Sequence, residues 1–264
     1  MGTLITNHRN KKIVSDSHLG DREISINILK FLISKGYIPA ALFVFEPLKA
    51  SHANELIQMA GLPEEYIFRG NEINQPGSLK KLAQLNLVYI ISIHFPYIIP
   101  SSLLNIPLVG VLNLHPAYLP YNKGWHTPSW AIIEGDPYGA TLHFMEEELD
   151  QGDIINQKIL EVNPTDTANS LYQRALKLEE EVFYEAFEDI LSLNPPRKKQ
   201  IDKGSAHLKK DLKAIQRIDL DKKYTGEEII NKLRGLTTNS ISEAAYFEIN
   251  NKRITLQVTL KEFE

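Results

Sequence analysis

Residues Leu87 to Leu114 read LVYIISIHFPYIIPSSLLNIPLVGVLNL, and two runs inside them decide the fold class. Leu87 to Ile93 (LVYIISI) and Leu108 to Leu114 (LVGVLNL) are apolar at consecutive rather than alternate positions. Such a run is a strand buried on both faces, as in a parallel sheet covered by helices. Upstream, Leu79 to Leu85 and His52 to Ala60 read as short helices, the second stopped by Gly61 and Pro63. Ile38 to Pro47 (IPAALFVFEP) has strand length, and Ile24, Ile28, Phe31 and Leu32 recur at helical spacing up to a capping Gly36. For the first strand, Leu4–Thr6 and Lys12–Ser15 compete. Downstream come a helical stretch from Thr127 to Glu134, an alternating strand from Ala140 to Met145, and a strand from Ile154 to Val162. Asp166 or Thr167 then caps a long helix whose apolar face holds Leu171, Ala175, Leu178, Val182, Phe183, Ala186 and Ile190. The expected class is α/β, a Rossmann-like, mostly parallel sheet.

Asn194-Pro195-Pro196 followed by Arg197-Lys198-Lys199 breaks that helix and reads as a connector. The expected division is therefore 1–196 and 197–264. In the second part, Thr225 and Glu228 form a capping-box pair before Ile229, Ile230 and Leu233. AAYFEI and RITLQVTL then flank Asn250-Asn251-Lys252 as a β-hairpin, giving a small α+β unit. Its edge strand could pair across a homodimer.

The 264 residues contain no cysteine, which excludes a thiol nucleophile and Cys-based zinc or iron–sulfur sites. With 29 Lys and Arg against 33 Asp and Glu the net charge is −4, a poor global match to nucleic acid. The most apolar stretch, Leu87 to Ile99, is interrupted by His94 and Pro96 and is too short to cross a membrane. MGTLITNHRNKK lacks the apolar core of a signal peptide, so the expected location is the cytoplasm. The dinucleotide glycine fingerprint and the P-loop are both absent.

Chemistry concentrates between Asn113 and Asp153. Asn113 and His115 end an apolar strand, at the edge of an open sheet where ligands bind, and two residues apart they share one side. Thirty-five residues later, Asp150 sits in a turn after another strand. An imidazole can move a proton, an amide can hold an oxyanion, and a carboxylate can fix the imidazole. By spacing alone, Asn113 and Asp150 also fit structural roles at a strand end and in a turn.

NLHPAYLP (Asn113 to Pro120), followed by LDQGDII (Leu149 to Ile155), resembles the formyltransferase family that uses N10-formyltetrahydrofolate. The likeness covers Leu87 to Leu191 well and the N-terminal part loosely. It implies a catalytic set of Asn113, His115 and Asp150, a folate co-substrate and no metal. It also implies a folate cleft formed by Phe95, Tyr97, Ile98 and Ile99 with Met145, Glu147 and Leu149 from the turn before Asp150. The backbone of Glu146-Glu147-Glu148, otherwise a solvated turn, would line the pterin.

Three substrates compete within that family. The methionyl-tRNA enzyme carries Arg-Gly after the signature and a larger, basic C-terminal domain; here stands Tyr121-Asn122-Lys123-Gly124, and Lys offers no bidentate fork. The glycinamide ribonucleotide enzyme has a Gly-x-His-Thr segment like Gly124-Trp125-His126-Thr127, but also a Gly-rich phosphate loop. The comparable place here, Ser15 to Arg22, has one glycine and two acids. The PYNKGW loop (Pro120 to Trp125) is similar to that of the sugar N-formyltransferases, which act on nucleotide-linked amino-deoxysugars in O-antigen synthesis. HLKKDL (His207 to Leu212), RIDLD (Arg217 to Asp221) and LRGLT (Leu233 to Thr237) resemble elements that follow their catalytic domain.

The expected reaction is therefore formyl transfer to a nucleotide-linked 3- or 4-amino-dideoxysugar, with dTDP as the expected nucleotide. The expected acceptor residues are Tyr121, Asn122, Lys123, Gly124, Trp125 and His126, with Lys209, Lys210 and Arg234 as phosphate cations by charge. A non-catalytic nucleotide-sugar binder is the alternative outside enzymology. Among the remaining candidates, Trp130 reads as core and His143 as a buried, hydrogen-bonded strand residue. His94 is balanced between cleft and core, His52 and His207 read as surface, and Glu179 to Glu181 as the solvent face of the long helix.

Overall fold

The computed structural model describes residues 23–45, 52–95, 99–201 and 203–263, and the backbone of 12–16. The expectations for Leu4–Thr6, Ser17 to Arg22, Tyr97 and Ile98 lie outside these residues. The chain opens with β1 (Lys12–Asp16), α1 (Glu23–Ser34), β2 (Leu42–Val44), α2 (Ala53–Ala60), β3 (Ile67–Arg69) and α3 (Pro76–Gln84). It continues with β4 (Leu87–Ile93), α4 (Ser101–Leu104), β5 (Gly110–His115), β6 (Lys123–Gly124), α5 (Thr127–Glu134), β7 (Gly139–Phe144) and β8 (Ile154–Ile159). Then come α6 (Ala168–Glu185), α7 (Phe187–Leu191), β9 (Ala206–His207), α8 (Asp211–Ile215), α9 (Gly226–Gly235), β10 (Ala245–Ile249) and β11 (Lys252–Leu256).

Seven strands form one sheet in the order β3-β2-β1-β4-β5-β7-β8. The pairs β2–β3, β1–β2, β1–β4 and β4–β5 are parallel, as the consecutive apolar runs require. Strand β2 shows why. Leu42 and Val44 pack with Ile26 and Leu29 of α1 and Leu56 of α2, whereas Phe43 packs with Phe68, Ile73 and Leu82. Successive side chains thus serve opposite layers, and both faces of the sheet are covered. Tyr89, fully buried on β4, donates its hydroxyl hydrogen to the Ile190 carbonyl of α7.

Contacts divide the chain into two compact units. The first comprises the described residues of Met1–His115, Leu142–Asn156 and Glu179–Lys199. The second comprises those of Pro116–Thr141, Gln157–Leu178 and Gln200–Glu264. The C-terminal residues form one unit with two earlier segments, Pro116–Thr141 and Gln157–Leu178.

In the second unit, β6 pairs in parallel with β9, and the Lys123 and Trp125 backbone N–H groups donate to the Ser205 and His207 carbonyls. Helix α9 packs on α5. Gly235 permits that approach, since a Cβ there would stand 2.6 Å from Ile133 Cγ1. Trp130, Leu212, Ile218, Leu236 and Ala245 form the core of this region. The Thr225–Glu228 capping box starts α9 with both reciprocal bonds, 3.1 and 2.7 Å. Thr167 caps α6 by accepting from the Ser170 N–H. β10 and β11 pair antiparallel as the expected hairpin.

Candidate active site

Asn113 and His115 occupy the last turns of the β5 pleat, where the register pairs Asn113 with Ser92 of β4. Strand order reverses between β1 and β4, where open α/β sheets bind ligands at the carboxyl ends of their strands, and β5 is the strand next to β4. Both residues are buried, unlike ordinary polar side chains. The turn after β7 brings Asp150 to them in a left-handed backbone conformation, φ 51°. Its Oδ2 lies 3.5 Å from His115 Nε2, an electrostatic contact at the edge of hydrogen-bond range. Gly152 is required beside it, because a Cβ would collide with the Phe144 carbonyl oxygen. The three expected catalytic residues thus converge.

A fourth residue joins them. His143 on β7 is wholly buried and hydrogen-bonded, as its strand alternation indicated, but it also faces the site. Its Nδ1 lies 2.7 Å from the Phe144 carbonyl oxygen and its Nε2 lies 3.2 Å from Asn113 Nδ2. The same Nε2 is 3.7 Å from Asp150 Oδ1, so the carboxylate stands between two imidazoles. Burial pushes the His143 pKa down to about 4, against the pull of the Asp150 carboxylate and with the help of His115. The ring is therefore neutral at physiological pH. Sequence carried one signal for it: His143 shares a strand side with Thr141 and Met145, seven residues before Asp150.

Among the expected folate-cleft residues, Phe95, Ile99 and Met145 pack in one apolar cluster with Leu103 and Val111. The Met145 N–H donates to the Val111 carbonyl, tying the end of β7 to β5. Glu147 and Leu149 are exposed on the turn before Asp150. At the end of β4, His94 Nε2 lies 2.6 Å from Glu179 Oε1, with both side chains buried. Glu179 is thus not on the solvent face. It falls four residues after Ala175 and three before Val182, on the helix's apolar side.

The expected acceptor residues separate into two groups, all within the second unit. Asn122 is fully buried and donates through Nδ2 to the Pro137 carbonyl. Lys123 is equally buried, with its ammonium donating to the Lys203 carbonyl at 3.1 Å. Arg234 donates from Nε to the Asp166 carbonyl, from Nη2 to the Asn163 carbonyl and from Nη1 to Asn231 Oδ1. Each of these three side chains donates to neighbouring groups of its own unit, as a buried amide or cation must. Trp125 is 37 % exposed, and Lys209 Nζ sits 4.7 Å from its ring centroid. His126, at φ 57°, faces Glu243 at 3.9 Å, and burial lowers its pKa. Gly124 and Tyr121 are partly exposed, and Lys209 and Lys210 are exposed. His207 is not a surface residue: its ring stacks on Trp130 at 3.9 Å and contacts Glu134 at 3.0 Å.

Among the described residues, no helix is long and apolar enough to cross a membrane, and no group of three or more His, Asp or Glu is arranged to hold a metal ion. Residues 37–187 match the formyl transferase family, and residues 211–262 match the N-formyltransferase dimerization C-terminal domain. A dTDP-4-amino-4,6-dideoxyglucose formyltransferase of Mycobacterium tuberculosis is 30% identical over 172 residues, covering 65% of this chain and 73% of its own. A methionyl-tRNA formyltransferase of Malacoplasma penetrans is 28% identical over 261 residues, 97% of this chain and 79% of its own. A crystal structure of a 4-N formyltransferase from Francisella tularensis superposes with a TM-score of 0.78 at 28% identity, covering 96% of this chain and 99% of that one. With the Asn113–His115–Asp150 constellation inside the matched region, the chain belongs to the formyl transferase family, and its chemistry is the transfer of a formyl group to an amine nitrogen.

Proposed function

We propose that the chain transfers the formyl group of N10-formyltetrahydrofolate to the amine of a nucleotide-linked 3- or 4-amino-dideoxysugar, with dTDP as the nucleotide. The observation that carries the chemistry is the convergence of Asn113, His115 and Asp150 at the end of β5. The sugar amine attacks the formyl carbon and His115 takes its proton, directly or through one water. The Asn113 amide donates to the developing oxyanion. Asp150 orients His115 and balances the imidazolium charge. Collapse breaks the bond to N10, which receives a proton as it leaves. The apolar cluster of Phe95, Ile99 and Met145 suits the pterin side of the folate.

For the acceptor, the half-exposed Trp125 with Lys209 beside its face suits a base or sugar next to phosphate. The net charge of −4 disfavours a large polyanion. The relatives from Mycobacterium tuberculosis and Francisella tularensis support a 4-amino sugar. Methionyl-tRNA stands as the second reading, because one such enzyme matches 97% of this chain. A homodimer through the C-terminal region accompanies the proposal, supported by the dimerization-domain match and by Ile249 and Ile254, both more than 40 % exposed on the hairpin.

Formyl transfer measured against dTDP- and GDP-linked 3- and 4-amino sugars, glycinamide ribonucleotide and methionyl-tRNA tests the reading. Turnover of one amino sugar is the expected result. Turnover confined to methionyl-tRNA, with activity falling steeply with salt through counterion release, overturns it.

A further inference from the structure

The Asn113 amide has a problem that its own strand does not solve. A primary amide is nearly symmetric in shape, so its NH2 and carbonyl ends exchange by a half-turn unless a neighbour distinguishes them. If the carbonyl end faced the reacting centre, it would repel an oxyanion instead of binding it. Something must set the flip.

His143 has the chemistry to do so. The Phe144 carbonyl oxygen, 2.7 Å from Nδ1, can only accept, so Nδ1 carries the ring's hydrogen. In a neutral imidazole that leaves Nε2 as a bare lone pair. Asn113 Nδ2 lies 3.2 Å from it, inside a region where both side chains are buried. A lone pair there accepts from NH2 and repels C=O. The peptide carbonyl of Phe144 thus fixes the tautomer, the tautomer fixes the amide, and one amide N–H is left over. We propose that His143 is a positioning residue for the transfer: its Nε2 fixes the flip of the Asn113 amide, so that the remaining N–H is offered to the formyl oxygen. This rests on the oxyanion role given to Asn113 above.

The groups facing the pair are Asp150, 3.7 Å from His143 Nε2, and His115, whose ring centre is 6.2 Å away. Asp150 already faces His115, and the two imidazole rings meet edge to face, at 81°.

Single-turnover formyl transfer in His143→Leu, His143→Gln, Asn113→Ala and the double variant Asn113→Ala/His143→Leu tests this. Leu removes the acceptor, whereas the Gln carbonyl reaches the Nε2 position. His143→Leu is expected to slow transfer about 10- to 100-fold at saturating substrates with both KM values nearly unchanged, the loss typical of a misplaced reacting group. His143→Gln should recover most of that rate. In the Asn113→Ala background, His143→Leu should cost nothing more, since there is no amide left to orient. A purely structural histidine would instead impose its cost in both backgrounds, and that result overturns the proposal. So does a wild-type rate in His143→Leu. A wild-type rate in Asn113→Ala separately removes the oxyanion reading underneath. Should the Leu variant not fold, nitrogen-15 NMR of the wild-type ring decides: hydrogen on Nδ1 is expected, and hydrogen on Nε2 contradicts the assignment.

Discussion

The end of β5 and the loop around β6 were both marked by motif residues, yet the two regions use such residues differently. At the end of β5, each polar side chain points at another member of the same constellation: Asn113 at His143, His115 at Asp150. Around β6, Asn122 and Lys123 point away into carbonyls of their own unit, whereas Tyr121, Gly124, Trp125 and His126 present partly open faces. The difference follows from what holds each segment. A central strand has its backbone satisfied by the sheet, so its side chains are free for chemistry. An irregular loop must be held by its side chains, and two of its six motif residues do that work.

The comparison is broken most severely at Asp150. Asp150→Asn keeps the shape but loses the charge facing His115, and kcat is expected to fall about 10²- to 10⁴-fold with folding intact. A kcat within twofold of wild type would show that this region, too, only holds the scaffold. Acid sharpens the contrast through His143. Its pKa near 4 in the fold lies below the ordinary 6.5, so the unfolded chain binds the extra proton first as pH drops. Stability is complete above about 6.5 and is lost on acidification towards 4. By linkage this single group removes about 2 kcal/mol between pH 7 and pH 5. Urea unfolding at the two pH values should show that loss in the wild type and its absence in His143→Gln.

On the loop side, Trp125→Ala should raise the acceptor KM about 10-fold at unchanged kcat, the scale of one lost base–aromatic stack. Steady-state kinetics with the preferred sugar nucleotide checks it. Lys123→Met should do the reverse. It leaves the Lys203 carbonyl without its donor and costs about 1–3 kcal/mol of stability while the acceptor KM stays within about twofold. A tenfold rise in that KM would return Lys123 to the substrate.

Much of this organisation was legible in the sequence for local reasons. Leu87 to Ile93 matches β4 residue for residue, because six apolar residues in seven, mostly β-branched or aromatic and only strand-long, favour a buried strand over a helix. The α9 capping box and the β10–β11 turn are set by residues three or four apart. What stayed hidden depends on distance or phase. β6 and β9 are two residues each, and their pairing joins Lys123 to Ala206, 83 positions apart, with no periodicity to show it. β3 has three residues, too few for alternation to appear. Glu179 was masked by the charges of Glu180 and Glu181, although the helical period from Ala175 to Val182 already turned it inward. His143 looked like an ordinary buried strand histidine because its partner, Asn113, lies 30 residues away on another strand.

The central claim is that an amide at position 113 holds the charge that develops during transfer. The most direct test is the single-turnover rate of Asn113→Ala with saturating formyl donor and acceptor, beside an unfolding curve of the same variant. The expected result is a folded protein slowed about 10²- to 10³-fold, the usual cost of one oxyanion donor. A folded variant that transfers formyl at the wild-type rate would contradict it.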